Sequence, residues 1–318
     1  MAESYNTLAG LVQINDQNLA DLNISDLLDD APLMAVLFAQ AASNGTQHKY
    51  LKQTTASSAA FRAALAGLTK TASADTLVTD TLAILDGSFS TDVALAQGFK
   101  DGVDAYLRKE LIRTLKQVFF VAEQQVIYGV GNDASGFPGL SDDAQLDALA
   151  DAMVLDGGGS GVGTQTSCFL LRSGENDVSF IMGNDGNIVV DEEPVIIEKV
   201  VNPGSDNKTY PAYYTAVNGY SGFQIGGARS AARVANIEMA DLTSTTAFDD
   251  DNIYAGLSLF PAARQPNLIA MNRNALRLLR QSRTAVNPTG APAARPTEVD
   301  GIPIVVTDAI TSTEAVET

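Results

Sequence analysis

A long amphipathic stretch between Thr91 and Gly129 constrains the fold of this chain more than any other segment. Its apolar residues recur at steps of three and four, which places them on one stripe of a 3.6-residue helix. The stripe consists of Leu95, Phe99, Val103, Tyr106, Leu107, Leu111, Leu115, Val118, Phe119, Ala122 and Val126. A helix over 92–128, about 37 residues, spans roughly 55 Å. The pattern therefore predicts a spine on which several substructures pack.

Polar residues and glycines predict where this spine helix begins, bends and ends. Ser90 or Thr91 is suited to cap its start, and Gly129 is suited to the left-handed position that ends a helix. Gly98 and Gly102 lie inside it, each at a cost of about 1 kcal/mol relative to alanine. A bend near the first turns is therefore expected.

Composition excludes several classes of protein. The 318 residues are 45% hydrophobic, which is enough for a real core and argues against global disorder. A net charge of −18 opposes direct binding to nucleic acid phosphates. We expect neither a membrane span nor a secretory signal, because the sequence lacks a long apolar run and a basic start followed by an apolar core. Cys168 lies among apolar residues and is expected to be a small buried hydrophobe.

The chain before the spine is interpreted as an arm followed by an excursion. Residues 1–45 form the arm, in which Asp30 is expected to cap a helix that continues through the apolar run 33–42. Residues 46–75 are rich in alanine, threonine and serine, so they contribute little to a core. Their pattern predicts an extended, two-stranded loop.

After the spine the pattern changes from helix to strand. Residues 141–155 are expected to form a capped helix, and 157–163 a flexible glycine-rich connection. Asn184, Asp185 and Gly186 predict a hairpin between 178–182 and 188–190. Further strands are predicted at 167–172, 195–201, 212–217, 268–270 and 302–307, with a long strand pair over 219–238, and further helices at 241–253 and 272–282. The predicted class is α+β with mainly antiparallel sheet.

The patterns that suggest ligand chemistry have simpler explanations. The glycine run 157–163 lacks the Lys-Ser/Thr ending of a phosphate loop. Residues 185–187 with the acidic cluster 191–193 have the wrong spacing for a calcium loop. The acidic residues 249–251 suit a helix start better than a metal site. His48 is the single histidine, so no metal site with a pair of histidines exists. We expect His48 to be solvated or to make contacts.

A basic stripe remains without a fixed interpretation. Arg273, Arg277, Arg280 and Arg283 recur along one predicted helix, as either a contact for an acidic neighbour or a solvated face. No catalytic constellation, cofactor motif or metal motif emerges. We therefore expect a protein that is not an enzyme.

The order of these segments resembles the major capsid protein of tailed bacteriophages, with the Hong Kong ninety-seven type shell fold. The motifs that carry the resemblance are Val121-Ala122-Glu123-Gln124-Gln125-Val126-Ile127-Tyr128-Gly129, Gly136-Phe137-Pro138-Gly139-Leu140, Arg229-Ser230-Ala231-Ala232-Arg233-Val234-Ala235-Asn236-Ile237, Met271-Asn272-Arg273-Asn274-Ala275-Leu276 and Gly301-Ile302-Pro303-Ile304. Each motif is degenerate, and their order along most of the chain carries the resemblance.

The resemblance implies an α+β capsid fold with four parts. These are an N-terminal arm (1–45), an extended loop (46–75), a peripheral domain with the spine helix and long strands (76–240), and an axial domain with a C-terminal strand (241–318). The implied function is a structural protein that self-assembles into the icosahedral shell enclosing viral double-stranded DNA. The alternative is another self-assembling phage protein, such as a tail tube or sheath component.

The resemblance also implies partners and contact residues. The implied partners are copies of the same chain in hexamers and pentamers, a separate scaffolding protein, a portal and a decoration protein. DNA is enclosed without sequence-specific binding, and the protein is part of a virion that is assembled in the host cytoplasm. The candidates for contacts between subunits are Lys49, Tyr50, Lys52, Phe61, Arg62, Arg273, Arg277 and Arg280. No cross-link through Lys49, Lys52 or Lys70 is predicted, because no partner asparagine is identified.

Overall fold

The chain combines separate runs of strands and helices with mainly antiparallel pairing, which is the pattern of an α+β fold. The structure is a computed structural model, and it describes residues 13–14, 27–55, 58–67, 72–190, 194–201, 208–227, 229–239, 248–287 and 291–318. The helices are α1 (Pro32–Val36), α2 (Val93–Gln97), α3 (Val103–Tyr128), α4 (Asp250–Ser258) and α5 (Arg273–Ala285). The strands are β1 (Gln13–Ile14), β2 (Ala39–Ala41), β3 (Gln47–Thr55), β4 (Ala74–Thr81), β5 (Ala83–Asp86), β6 (Phe89–Asp92), β7 (Val154–Asp156), β8 (Gln165–Leu171), β9 (Val178–Met182), β10 (Asn187–Val190), β11 (Val195–Val201), β12 (Lys208–Thr215), β13 (Val217–Ile225), β14 (Ala231–Glu238), β15 (Leu268–Met271), β16 (Glu298–Val299) and β17 (Ile302–Val306).

The spine is broken near its start. The short helix α2 ends before Gly98, and the long helix α3 begins after Gly102. Gly102 has a φ of 95° and a ψ of 173°, a backbone conformation that essentially only glycine adopts. The bend therefore lies where the interior glycines predicted it, but the prediction of one uninterrupted helix over 92–128 is wrong.

The two ends of the spine are capped differently from the prediction. Ser90 and Thr91 belong to strand β6. The side chain of Asp92 caps α2 instead, accepting a hydrogen bond from the backbone N–H of Ala94 at 2.8 Å. The long helix ends before Gly129 as expected, with a φ of 51° and a ψ of −129° at that glycine. The expected positive φ is present, although this ψ lies outside the left-handed helical region.

The apolar stripe of α3 packs into the main core. Leu115 is completely buried and Leu111 is 5% exposed. Leu107, Val118, Phe119, Ala122 and Val126 are buried with them. Leu95 was expected on the same stripe, but it is 64% exposed because the stripe does not continue across the break. No described helix combines the length and apolarity needed to cross a membrane.

Two six-stranded sheets provide most of the strand pairing. The first has the order β1–β10–β13–β9–β2, with β5 also paired to β13, and the second has the order β16–β17–β15–β8–β14–β7. A three-stranded sheet, β11–β12–β6, and a two-stranded sheet, β3–β4, accompany them. Most neighbouring strands are antiparallel, as predicted. Strand β8 is buried along its whole length, and its Cys168 is a buried apolar residue as expected.

The predicted hairpin at 184–186 does not form. These residues make a 3-10 turn, but β9 and β10 do not pair with each other. Strand β13 lies between them, with Phe223 opposite Phe180 and Asn218 opposite Val189. Strand β13 has nine residues, so it is a longer pairing partner for β9 and for β10 than these two strands are for each other. The acidic residues 191–193 lie outside the described residues.

The helix predicted over 141–155 is also absent from the described structure. A short 3-10 turn occupies Leu140–Asp142, and irregular turns follow until β7. Aspartate side chains bind local backbone groups here: Asp143 accepts from the N–H of Gln145 at 3.0 Å, and Asp151 from that of Ala148 at 2.9 Å. Such local bonds compete with the helical ladder.

The N-terminal helix is shorter than the predicted run 33–42. It ends at Val36, and β2 then pairs in parallel with β9, placing Ala39 opposite Phe180. Pairing with a buried strand therefore overrides helical propensity in the second half of the run. The capping position is occupied by Ala31, which has no side-chain cap, rather than by Asp30.

The glycine-rich connection is packed rather than free. Gly157 and Gly159 donate backbone hydrogen bonds to the carbonyl oxygens of Ala235 and Asn236, at 2.8 and 2.9 Å. A Cβ atom on Gly159 would lie 2.6 Å from the Asn236 carbonyl oxygen. Glycine is needed at these two positions because the backbone lies too close to β14 for a side chain. The prediction of a flexible linker is therefore wrong.

The domain boundary expected at residue 240 falls inside one sheet. Strands β8 and β14 precede it, β15 and β17 follow it, and β15 pairs directly with β8 through Leu268 and Leu171. The unit that contains 241–318 therefore also contains β7, β8 and β14. Neighbouring strands with one shared core do not separate into two domains.

Candidate functional site: the extended hairpin and the end of the spine

Strands β3 and β4 form the two-stranded excursion expected near 46–75, although β4 continues beyond it. Tyr50 is opposite Val78, and Leu51 is opposite Leu77. Opposed residues share a face of the hairpin, and successive residues alternate between faces. Leu51 is 66% and Leu77 59% exposed, whereas Tyr50 and Val78 are half-buried. The hairpin thus has an inner face toward its own subunit and an outer face that is open.

The inner face is fixed to the body of the subunit near its base. His48 is buried, with its Nε2 atom 2.7 Å from the side-chain oxygen of Gln224. Its Nδ1 atom accepts a hydrogen bond from the backbone N–H of Ser43 at 3.2 Å, so Nε2 carries the proton in the neutral ring. Lys52 forms a 3.3 Å ion pair with Asp143. His48 is therefore a contact-making residue, one of the two roles expected for it.

Tyr50 and Asp80 meet on the same inner face. Burial raises the pKa of Tyr50 above its ordinary value, and the charge of Asp80 and a hydrogen bond to it raise that pKa further. Burial likewise raises the pKa of Asp80. Tyr50 thus stays protonated and donates to Asp80 at neutral pH. Two contact candidates, Tyr50 and Lys52, are therefore engaged within their own chain.

The tip and the outer face present the other candidates to solvent. Phe61 is 108% and Leu65 104% exposed, which leaves both side chains without cover in the single subunit. Arg62 is exposed and donates one hydrogen bond to the carbonyl oxygen of Ala66 at 3.3 Å. Lys49 is exposed on the outer face. Exposed large apolar side chains of this kind mark interaction surfaces.

The arginine stripe lies on α5, and each guanidinium contacts its own chain. Arg273 contacts Asp308 at 3.1 Å, Arg277 donates to the carbonyl oxygen of Met239 at 3.3 Å, and Arg280 donates to that of Ala293 at 2.8 Å. All three residues remain exposed. A guanidinium has five N–H donors, so one such contact leaves donors for another group.

The acidic residues at the start of α4 have structural partners. Asp249 accepts hydrogen bonds from the backbone N–H groups of Asp251 and Asn252 and so caps the helix. Asp250 binds Arg283 through both carboxylate oxygens, at 2.6 and 2.8 Å, and this pair raises the pKa of Arg283. Within the described ranges, no three His, Cys, Asp or Glu side chains group as a metal site would require.

Gln125 organises the loop that follows the spine. Its side-chain nitrogen donates to the carbonyl oxygens of Phe137 and Asp133, at 2.7 and 3.1 Å. Its side-chain oxygen accepts from Asn132 at 3.0 Å. Gly136 lies against the same amide, where a Cβ atom would be 2.3 Å from the Gln125 nitrogen. The end of the spine and the loop 132–137 are therefore held as one unit.

Glu123 is a buried carboxylate that the sequence analysis did not single out. Its Oε2 atom accepts from the backbone N–H groups of Leu33 and Met34, at 3.1 and 3.2 Å, and Thr307 hydrogen-bonds to Oε1. Burial raises the pKa of Glu123 to about 7, against the lowering effect of these bonds. Its position four residues after Phe119 places it on the buried stripe, which is the signal that could have identified it.

Arg233 organises a second buried network that the sequence analysis missed. It is 3% exposed and pairs with Glu317 at 2.7 Å and Glu314 at 3.4 Å. Ser167 accepts from its Nε atom at 3.0 Å, and Tyr128 donates to Glu314 at 2.7 Å. The network fastens the C-terminal segment to β14, β8 and the end of the spine.

Comparison with known structures defines the class of protein. A chain of the bacteriophage Epsilon15 structure matches with a TM-score of 0.62 at 20% identity, over 88% of this chain and 87% of that one. The capsid of bacteriophage JBD30 decorated with minor capsid protein trimers matches with a TM-score of 0.49 at 10% identity, over 87% and 89%. No curated protein sequence matches. The fold is that of a tailed-phage shell protein, as the resemblance implied.

The family match then identifies the chain. The chain belongs to the family of the major capsid protein GP7, which it matches over residues 16–317. It is a structural protein that self-assembles into the icosahedral shell enclosing viral double-stranded DNA, and it is part of the virion. A tail tube or sheath component is not favoured.

Proposed function

We propose that copies of this chain join through the extended hairpin into hexamers and pentamers, which close the shell. The exposure of Phe61 and Leu65 at its tip carries the proposal. Covering a phenylalanine or a leucine contributes about 1.5–3 kcal/mol each. Because the inner face of the hairpin is fixed to its own subunit, the tip and the outer face remain for a neighbouring copy.

The contact candidates divide into two groups under this proposal. Lys49, Phe61 and Arg62 contact the neighbouring subunit directly, because they are exposed on the outer face or the tip. Tyr50 and Lys52 act indirectly, since they hold the hairpin in the orientation that presents its tip.

The exposed arginines of α5 form a second proposed contact. Arg273, Arg277 and Arg280 form a positive strip on a chain of net charge −18. An acidic surface of a neighbouring copy complements that strip, and opposite charges favour encounter and correct register. Each arginine keeps N–H donors beyond its present contact.

The remaining parts have the roles that the family fold suggests. We assign the arm to 1–45, the extended loop to the β3–β4 hairpin, and the peripheral domain to the spine with the sheets of β13 and β12. The axial region around the capsomer axis includes 241–318, together with the strands that share its sheet.

Assembly also needs partners that this chain does not supply. We propose a separate scaffolding protein, a portal and a decoration protein as partners, with assembly in the host cytoplasm. DNA is enclosed without sequence-specific binding, because the net negative charge opposes phosphate contacts. The protein carries no enzymatic role in this scheme.

Limited digestion with trypsin tests the proposed contact. Arg62 lies in the irregular tip, whereas Lys49 lies in a paired strand and Lys52 in an ion pair. Cleavage of free subunits should therefore begin after Arg62. In assembled shells this cleavage should slow at least tenfold. Equal cleavage of free and assembled protein after Arg62 contradicts the proposal.

A substitution at the tip provides the matching test. Phe61→Ser should leave the melting temperature of the free subunit unchanged, because the ring contacts no core, and should reduce the yield of shells. Val162→Ser is the control, since Val162 is 90% exposed outside the hairpin. Sedimentation measures both yields, and a wild-type yield from Phe61→Ser rules out the tip contact.

A further inference from the structure

Among the strands that the structure describes, β11 is an edge strand with one free side. Its seven residues pair with β12, from Val195 opposite Tyr214 to Val201 opposite Lys208. Within the described residues β12 is its one partner, and β6 closes the other side of the sheet. A strand in this position presents a row of backbone N–H and C=O groups to any strand that approaches.

Both faces of β11 are open at its beginning. Val195 is 56% and Ile196 59% exposed. Successive side chains of a strand point to opposite faces, so neither face is covered there. An aliphatic edge that is open on both faces is the kind that pairs with another chain.

The charged residues of β11 do not protect this edge. Glu198 accepts a hydrogen bond from Thr209 on β12 at 2.5 Å, and Lys199 donates to Ser90 on β6. Both side chains are therefore engaged within their own sheet. Their opposite signs also leave the strand neutral, although the chain carries a net charge of −18.

We propose that the free edge of β11 pairs, main chain to main chain, with a strand of a second copy of this chain. This inference rests on the proposed assembly, which supplies the second copy. A neutral aliphatic strand is where two chains of like net charge approach with the least repulsion. The added strand completes the backbone hydrogen bonds of β11 and covers Val195 and Ile196, one on each face.

Hydrogen exchange measured by mass spectrometry tests the pairing. In free subunits, the amides of 194–201 that point away from β12 should exchange rapidly, while those that pair with β12 exchange slowly. In shells, the rapid group should slow at least tenfold. Suppose that the hairpin tip becomes protected in shells but the exchange of 194–201 does not change. That result overturns the pairing of β11 and leaves the hairpin contact intact. Shells with neither segment protected overturn both.

Two proline variants separate backbone pairing from simple covering. The N–H groups of Ile196 and Ile197 point to opposite edges of the strand, so one points toward β12 and the other toward the free edge. Proline is tolerated where the N–H faces the open edge. The proline variant whose free subunit keeps the wild-type melting temperature is therefore the one at the free edge. Its shell yield should fall at least tenfold. A wild-type yield from that variant overturns the pairing.

A lysine variant keeps the test decisive if both proline variants unfold. Ile196→Lys retains the N–H but places a charge on the edge, the device by which natural edge strands avoid pairing. Val189→Lys is the matched control, because Val189 is 44% exposed on β10, an interior strand that pairs with β13 at this position and with β1 at Asn187 and Ile188. Ile196→Lys should reduce shell yield at least tenfold relative to Val189→Lys. Equal yields overturn the proposal.

Discussion

A carboxylate oxygen of Glu123 lies 3.1 Å from the backbone nitrogen of Leu33, although ninety positions separate the two residues. The first N–H groups of a helix have no partner within it, and the capping position of α1, Ala31, has no side chain that supplies one. Glu123 supplies it from the spine. The same carboxylate binds Thr307, so it joins the N-terminal helix, the spine and the chain after β17.

This arrangement makes the stability of the subunit depend on pH near neutrality. Burial raises the pKa of Glu123 from 4.5 to about 7, so the folded state holds this proton more tightly than the unfolded state does. The contribution to stability is therefore complete below pH 4.5 and is lost as pH rises through about 7. At about 1.4 kcal/mol for each pKa unit, the loss is on the order of 3 kcal/mol.

Urea unfolding of wild type and Glu123→Gln across this pH range measures the effect. The neutral glutamine cannot ionise, so the decline in the free energy of unfolding with rising pH should be smaller in Glu123→Gln by about 1–3 kcal/mol. Glu110→Gln is the control, because Glu110 lies on the same helix in a partly exposed pair with Arg113. It should show the wild-type pH profile. Identical profiles for Glu123→Gln and wild type would count against the buried, titrating carboxylate.

The buried spine predicts a large loss of stability from one truncation. Leu115 is completely buried, so Leu115→Ala removes transfer free energy and leaves a cavity, at a cost of about 2–5 kcal/mol. Leu95→Ala on α2 should change the free energy of unfolding by less than about 0.5 kcal/mol, since Leu95 is 64% exposed. Denaturant melts of free subunits compare them. Equal stability of the two variants refutes the assignment of the buried stripe.

The break in the spine assigns different roles to its two glycines. Gly102→Ala forces a side chain into a conformation reserved for glycine and should cost about 1–3 kcal/mol. Gly98 has a φ of −75° and room for a Cβ atom, whose nearest neighbour would be 3.4 Å away. Gly98→Ala should therefore be neutral or slightly stabilising. Thermal melts measure both variants. A lower melting temperature for Gly98→Ala than for Gly102→Ala would show that the bend depends on Gly98 and not on Gly102.

The C-terminal network predicts a further loss. Arg233→Met leaves Glu314 buried without its cation, and breaking a buried ion pair in this way costs about 3–5 kcal/mol. Arg273→Met should cost less than about 1 kcal/mol, because its pair with Asp308 is exposed. Calorimetric melts of both variants make the comparison. A small loss in Arg233→Met shows that the network does not hold the C-terminal segment.

Elements with strong local signals could be predicted from the sequence. Strands β9 and β11 have the predicted bounds, and α3 occupies the predicted spine from Val103 onward. The poor core potential of 46–75 indicated an extended hairpin. The missing helix at 141–155 and the unformed hairpin at 184–186 show the limit. At 141–155, aspartate side chains bind the local backbone and so compete with the helix. At 184–186, strand β13 lies between β9 and β10, the two expected partners.

The candidate site could be predicted only in part, for a related reason. An alternating strand shows that Tyr50 and Leu51 lie on opposite faces, but not which face lies against the subunit. Asp143, 91 positions further along the chain, determines which face does so through its ion pair with Lys52. The position of Glu123 on the buried stripe could be predicted in the same way, but its partners could not, because the fold brings Leu33 and Thr307 to it from distant parts of the chain.

Electron cryomicroscopy of the purified assembly shows directly whether the hairpin joins copies of this chain into a closed shell. We expect closed shells of hexamers and pentamers, in which each hairpin lies on a neighbouring copy and Phe61 is covered by it. Open tubes, or closed shells in which Phe61 remains exposed to solvent, would contradict it.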